Sequence, residues 1–329
     1  MKAFWVTFSN SAHFGVKFMA TKALKKTVTV IPSQTVPAFV TYFSGAHAGY
    51  HLQGQQYRNL FTDAVKDFFH RFKHHLYIAG QPGVGKTHTV DQLRQLYPNI
   101  IFLQIKQAMS PWAFIKMVAV NRYTAIRTNK RLVIYIDDFN AIFKANSEFL
   151  DMFKNAMDKK LGDQLEYNKS LGAQYDQADD IEKLAIDYFI SCNPDRTGFI
   201  IPFEGNVKFI FTMNTPLPSE QERDREKLGS DRWIKLNNRN AIRSRVNYED
   251  LIMDKQVYWG WIADVLWHEP NIAVGSTPDQ KFEMLMWLWD NWDTTSEHSL
   301  RFVEEKLWDI MEQYPAPSQY RPRWEKLKG

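Results

Sequence analysis

Residues 80–87 read Gly80-Gln81-Pro82-Gly83-Val84-Gly85-Lys86-Thr87. The stretch fits G-x-x-x-x-G-K-[ST] at every fixed position. A short apolar run, His75–Ala79, precedes it, and a helical pattern, Thr87–Tyr97, follows it. Strand, glycine-rich turn and helix in that order build an anion cradle. The glycines let successive backbone N–H groups curl towards one point, and the helix N-terminus aims its dipole at the same place. Lys86 adds a point charge for the outer phosphates of a nucleotide, and the Thr87 hydroxyl adds a ligand for Mg²⁺. A glycine-rich turn without a ligand has no need of Lys-Thr at its end. Residues Gly80, Gln81, Pro82, Gly83, Val84, Gly85, Lys86, Thr87 and His88 are therefore the expected nucleotide-contacting segment, with ATP and Mg²⁺ as its ligands.

Fifty-one residues beyond Lys86, the run Arg131-Leu-Val-Ile-Tyr-Ile136 ends in Asp137-Asp138. An apolar strand that ends in carboxylates places one of them beside the phosphate loop, at the C-terminal edge of a parallel sheet. Asp137 is expected to hold Mg²⁺, directly or through water, and Asp138 to orient or activate the attacking water. The bland alternative is a pair of acids capping the next helix.

From residue 75 onward, strand and helix signals alternate. Strands are expected at 75–79, 99–105, 132–137, 207–213 and 246–252, with helices at 87–97, 110–126 and 146–161. Pro111 falls in the first turn of the second of these, where its missing N–H costs little. Such alternation implies an α/β fold, a parallel sheet with helices on both faces. Beyond residue 254 the pattern is helical, at 255–267, 278–292 and 299–314. Eight of the eleven tryptophans lie there, spaced as the core of a small bundle. Upstream, 56–73 reads as a helix. A linker is expected near 45–55, where Gly45–Gly49 is rich in Gly, His and Ala, and short strands are expected at 3–8, 14–18 and 27–31.

The pattern as a whole resembles the AAA+ ATPases over residues 55 to about 312. The strand Val207–Met213 runs into Asn214-Thr215-Pro216, similar to the sensor 1 strand of that family, so the resemblance assigns Asn214 to the γ-phosphate or the attacking water. The segment Asn238-Arg-Asn-Ala-Ile-Arg243-Ser244-Arg245-Val246 resembles the arginine-finger region, above all the Ser-Arg-Cys box of clamp-loader subunits. Arg245 and Arg243 are thus both candidate fingers, acting on the site of a neighbouring subunit. The alternative is that they cap a helix C-terminus. Ser299-Leu300-Arg301 resembles sensor 2, in which a lid arginine reaches the phosphates. Arg301 could instead pair with Glu304 or Glu305 along its helix. The resemblance implies a five-stranded parallel sheet, a helical lid, ATP hydrolysis with Mg²⁺, and a homo-oligomer, either a hexamer or an open spiral. Two departures stand out. Asp138 occupies a position that usually holds Glu. Also, 75 residues separate Asp138 from Asn214, leaving an insertion at about 162–206 with an expected helix at 178–190 and an expected hairpin at 198–205, read as an element that contacts the substrate.

Composition narrows the remaining choices. The 329 residues are 44% hydrophobic and 24% charged, so the chain can fill a sizeable core. No apolar run approaches the roughly 20 residues of a membrane helix, and no signal-peptide core precedes the fold. One cysteine, Cys192, excludes a disulfide framework and a cysteine-based zinc site. The expected location is cytoplasmic, with no membrane partner. Charge is uneven. Residues 1–50 hold Lys2, Lys17, Lys22, Lys25 and Lys26 and no acid, whereas residues 254–329 hold 8 Lys/Arg and 13 Asp/Glu. The expected domains are a small basic β-rich N-terminal part (1–50), a nucleotide-binding part (51–253) and a helical lid (254–329). Aromatic residues interleaved with those lysines suit single-stranded DNA, because bases stack on rings while ammonium groups meet phosphates. A replication or recombination ATPase acting on DNA is one reading. A protein-remodelling ATPase of MoxR or unfoldase type is the other, with a protein substrate or recruited partner. The small size and compact lid look like those of phage or mobile-element replication ATPases.

Overall fold

The computed structural model describes residues 42–106, 109–137, 147–158, 163–167, 171, 175–193, 198–214 and 242–328. They all fall in one compact unit, Ala38–Gly329; contacts divide the chain after Pro37, where the sequence suggested a boundary near residue 50. The strands expected in residues 1–31, and the five lysines with them, lie outside the described residues, as does Asp138.

Among the described residues there are seven strands: β1 His75–Gly80, β2 Ile100–Ile105, β3 Arg131–Asp137, β4 Gln164–Tyr167, β5 Phe199–Pro202, β6 Val207–Met213 and β7 Val246–Leu251. Five of them form one sheet in the order β2-β3-β6-β1-β7. Every pairing in it is parallel. The strands are nearly continuous runs of Val, Ile, Leu and Phe because both faces are covered. Side chains alternate between two cores: Leu76 and Ile78 enter one, while Tyr77 and Ala79 enter the other. The first core is sealed by α1 (Ala46–Arg71) and the lid. The second is sealed by α3 (Pro111–Arg127), α4 (Ser147–Met157) and α5 (Asp180–Cys192). The Ser110 hydroxyl caps α3, accepting from the Ala113 N–H at 3.2 Å.

The lid comprises α6 (Lys255–His268), α7 (Pro278–Asp290), α8 (three joined segments: Leu300–Phe302, a π turn Val303–Trp308, and Asp309–Gln313) and α9 (Pro317–Trp324). Tryptophans fill it, as their spacing suggested. Trp259 and Trp324 are fully buried, and their indole N–H groups donate to Leu285 O and Leu307 O at 2.9 and 3.1 Å. The final helix, α9, was not expected.

Two other expectations require correction. The stretch expected to be a linker, 45–55, is the start of α1, which begins ten residues earlier than the helical pattern indicated. Within that stretch Gly54 is a point of close packing. A Cβ on Gly54 would sit 2.1 Å from Trp261 N, and one on Gly260 would sit 1.9 Å from Tyr50 O. Two glycines let α1 and α6 cross backbone to backbone, and burial there outweighs the weak helix propensity of glycine. The expected 198–205 hairpin is also absent. β5 instead pairs antiparallel with β4, which lies 32 residues upstream at Tyr167↔Phe199. The insertion packs onto α3 through Lys116–Glu182 at 2.7 Å and the Tyr123–Tyr188 ring pair.

Gly260→Ala should therefore force the two helices apart. Overpacking of this kind costs about 1–3 kcal/mol. Urea unfolding should show a midpoint lowered to match, whereas Gly49→Ala in the same helix, which meets nothing within 4 Å, should raise it slightly through the better helix propensity of alanine.

Candidate functional site

The loop between β1 and α2 (Lys86–Arg94) takes its shape from two glycines in the left-handed region, Gly83 at φ 79° and Gly85 at φ 71°. Lys86, only 8% exposed, folds back over the loop. Its ammonium donates to Gly80 O at 2.9 Å, to Gln81 O at 2.9 Å and to Asn214 Oδ1 at 3.0 Å. Asn214 is within reach because β6 pairs directly with β1, where Ala79 lies opposite Met213.

Thr87 and Asp137, the two residues expected to serve Mg²⁺, lie side by side. Thr87 Oγ1 donates to the Asp137 carboxylate, 3.1 Å from Oδ1 and 3.2 Å from Oδ2. Behind it, Thr212 Oγ1 donates to Asp137 Oδ1 at 2.7 Å, and the Tyr135 hydroxyl lies 3.1 Å from Thr212 Oγ1. Burial pushes the Tyr135 phenol well above its ordinary range, so it serves as a neutral hydrogen-bonding group. This backing was not anticipated from the sequence. The signal was there in the register: Thr212 pairs with Asp137 across β3 and β6.

Three contacts tie the phosphate loop to the strand and helices that lead into the lid. The Gln81 amide bonds reciprocally with the Met253 backbone, donating to its carbonyl at 2.6 Å and accepting from its N–H at 3.1 Å. Tyr258 OH donates to Pro82 O at 2.6 Å. Gly83 lies against Ser299, where an added Cβ would come within 2.4 Å of the Ser299 Cβ. Ser299 caps α8 by accepting from the Phe302 N–H at 3.0 Å.

Between loop and lid lies a cleft of about 560 Å³. Its walls include Gly83, Gly85, Lys86, Thr87, His88, Asp137 and Asn214 from the core, and Asn271, Ile272, Arg301, Glu304 and Glu305 from the lid. A smaller cavity of about 140 Å³ shares Gly85, His88, Ile272 and Leu300 with it and is lined by Val84, Leu93, Trp261 and Val265. Arg301 reaches the cleft and also lies 3.8 Å from Glu305, so both readings of it hold geometrically. Burial raises the Glu304 carboxyl, with Glu305 and Asp309 adding to the effect against a backbone hydrogen bond from Ala273. Neither Arg243 nor Arg245 lines the cleft of its own chain. Arg243 stacks over Tyr248 at 4.4 Å, and Arg245 pairs with Asp158 at 2.7 Å.

The residues fit a nucleoside triphosphate with Mg²⁺. Gly83 and Gly85 hold the positive φ that shapes the loop into a cradle, and the Thr87–Asp137 pair offers the hard oxygen donors that Mg²⁺ prefers. Residues 76–220 match the model of the ATPase family associated with various cellular activities (AAA). Among solved structures, C. elegans PCH-2 aligns with 85% of this chain and 66% of its own, at 12% identity and a TM-score of 0.33. The match thus spans just under two thirds of that protein. No curated protein matches.

Lys86→Ala should reduce nucleotide affinity by about a hundredfold or more, given roughly 1.5–3 kcal/mol for each charge-assisted hydrogen bond lost. Calorimetric titration with a non-hydrolysable ATP analogue, on protein with an unchanged circular dichroism spectrum, measures it.

Proposed function

We propose that this chain is an ATPase of the AAA type that hydrolyses ATP with Mg²⁺, forms a hexameric ring or an open spiral, and works on DNA. In this reading the loop N–H groups and Lys86 hold the phosphates, and Thr87 and Asp137 hold Mg²⁺. Bound there, the ion would supply positive charge to offset the charge that develops on the terminal phosphoryl group. The smaller cavity takes the base against Trp261, Ile272 and Leu300. Asp138 aligns the attacking water and draws its proton, and Asn214 orients the water or the γ-phosphate. Arg301 meets the phosphates from the lid. Arg245 or Arg243 enters the site of the adjacent subunit, where such a finger contributes about 10³–10⁵ in rate. Arg245 would have to leave Asp158 to do so.

The observation that carries the nucleotide cycle is the set of three contacts between the phosphate loop and the lid side. Any shift of Gln81, Pro82 or Gly83 on binding or losing a phosphate is felt at Met253, Tyr258 and Ser299. That is the coupling a motor or switch requires. The DNA assignment rests on the acid-free residues 1–50 with their five lysines. A protein partner is favoured by one feature, the outward side of α5, where Ile181 and Leu184 are 63% and 55% exposed.

Steady-state ATPase rates of the full chain, with and without single-stranded DNA, separate the two readings. The DNA reading expects stimulation whose apparent affinity falls with salt at a log–log slope of about −3, for four lysine contacts (Lys17, Lys22, Lys25 and Lys26) at roughly −0.7 each. A chain starting at Ala38 keeps the buried Phe43 and all of α1. It should retain basal turnover and lose the stimulation. Stimulation that survives the truncation contradicts the basic end as the DNA site.

A further inference from the structure

Where α1 crosses α6, a polar cluster sits inside the aromatic core. Asp264, 1% exposed, projects from α6, and His268 lies one turn further along the same helix. An i, i+4 pair on a helix puts two side chains on one face, the spacing of a two-point chelate. His51, buried on α1, supplies a third group from the opposing helix. His51 Nε2 and His268 Nδ1 lie 3.2 and 3.1 Å from Asp264 Oδ1, and the three ligand atoms all fall within 4.8 Å of one another. The two imidazoles are stacked, with centroids 5.9 Å apart.

We propose that His51, Asp264 and His268 form a binding site for a borderline transition-metal ion, with Zn²⁺ as the occupant, that staples α1 to α6. Geometry and donor chemistry carry the assignment. Tetrahedral Zn²⁺ with bonds of about 2.0–2.1 Å sets neighbouring ligand atoms about 3.3 Å apart, so two of the three edges need to move by only a few tenths of an ångström. Two imidazole nitrogens and one carboxylate select Zn²⁺, Co²⁺ or Ni²⁺ over Mg²⁺ and Ca²⁺, which prefer oxygen throughout. The fourth position falls to water, which enters past His268, the exposed member of the set.

The surroundings suit a positive ion. Two carboxylates, Asp264 and Glu269, share one guanidinium. Arg58 donates to Asp264 Oδ2 at 2.9 Å and also pairs with Glu269. Arg58 and Gln55, which lies 3.3 Å from Oδ1, fix the carboxylate from behind, as the outer partners of metal ligands do. His268 Nδ1 also lies 2.9 Å from the Asp264 carbonyl. Ligation therefore requires the tautomer with its proton on Nε2, which frees the Nδ1 lone pair for the metal.

The test uses the full chain, stripped by a chelator and free of nucleotide, titrated with Co²⁺ and then Zn²⁺. One equivalent of Co²⁺ should produce visible d–d absorption that Zn²⁺ abolishes, and Zn²⁺ should raise the melting temperature by about 5 °C at a hundredfold excess over Kd. His268→Ala, at an exposed position, should fold, lose the band and lose the shift. His268→Cys, which restores a ligand, should recover both. Asp137→Asn should keep the band, which separates this site from the nucleotide cleft. Absence of a stoichiometric band in the wild type, its persistence in His268→Ala, its absence in His268→Cys, or its loss in Asp137→Asn overturns the proposal.

Discussion

The buried ammonium of Lys86 is the constraint around which the molecule is arranged. Taking such a charge out of water costs several kcal/mol unless acceptors surround it. Gly80 O and Gln81 O come from the loop itself, and Asn214 comes from the strand next door. That third acceptor is available only if β6 lies directly beside β1, with 126 residues of chain passing in between. The sheet order β2-β3-β6-β1-β7 meets that requirement and also brings Asp137, at the end of β3, alongside Thr212 on β6. Cation, metal ligands and polar backing thus converge on one edge because the strand order permits nothing else.

The same loop faces the lid. The Met253 backbone, the Tyr258 hydroxyl and Ser299 each touch a different residue of the phosphate cradle. Core and lid are further joined by α1, which begins before the sheet and packs along α6 with two glycines at the crossing. A shift in the cradle has two routes into the lid, one at the cleft and one through the α1–α6 seam that also carries the His51–Asp264–His268 cluster.

Much of this was legible in the sequence. The phosphate loop and the two carboxylate- and asparagine-ended strands were placed to within a residue, because glycine geometry, apolar runs and chain order leave few alternatives. The lid tryptophans were read as core, and they are. The errors share a cause. The 45–55 segment looked like a break because the contact of Gly54 with Gly260, more than two hundred residues away, cannot be seen locally. The pairing of β5 with β4 across an intervening helix is nonlocal in the same way. Thr212 and Tyr135 were missed because a hydroxyl behind a metal ligand has no motif; only strand register reveals it. Asp264 and His268 at i, i+4 were visible, but nothing in the sequence shows that His51 meets them.

The most direct measurement is the turnover number of Asn214→Ala beside the wild type, with nucleotide affinity determined in parallel. If Asn214 positions Lys86 and the reacting end of the nucleotide, the variant should bind ATP within a few-fold of the wild type and hydrolyse it about a hundredfold more slowly or worse, a loss of roughly 2.7 kcal/mol of transition-state stabilisation. Wild-type turnover in Asn214→Ala would contradict the account, since the strand order that brings Asn214 to Lys86 would then have no part in the chemistry.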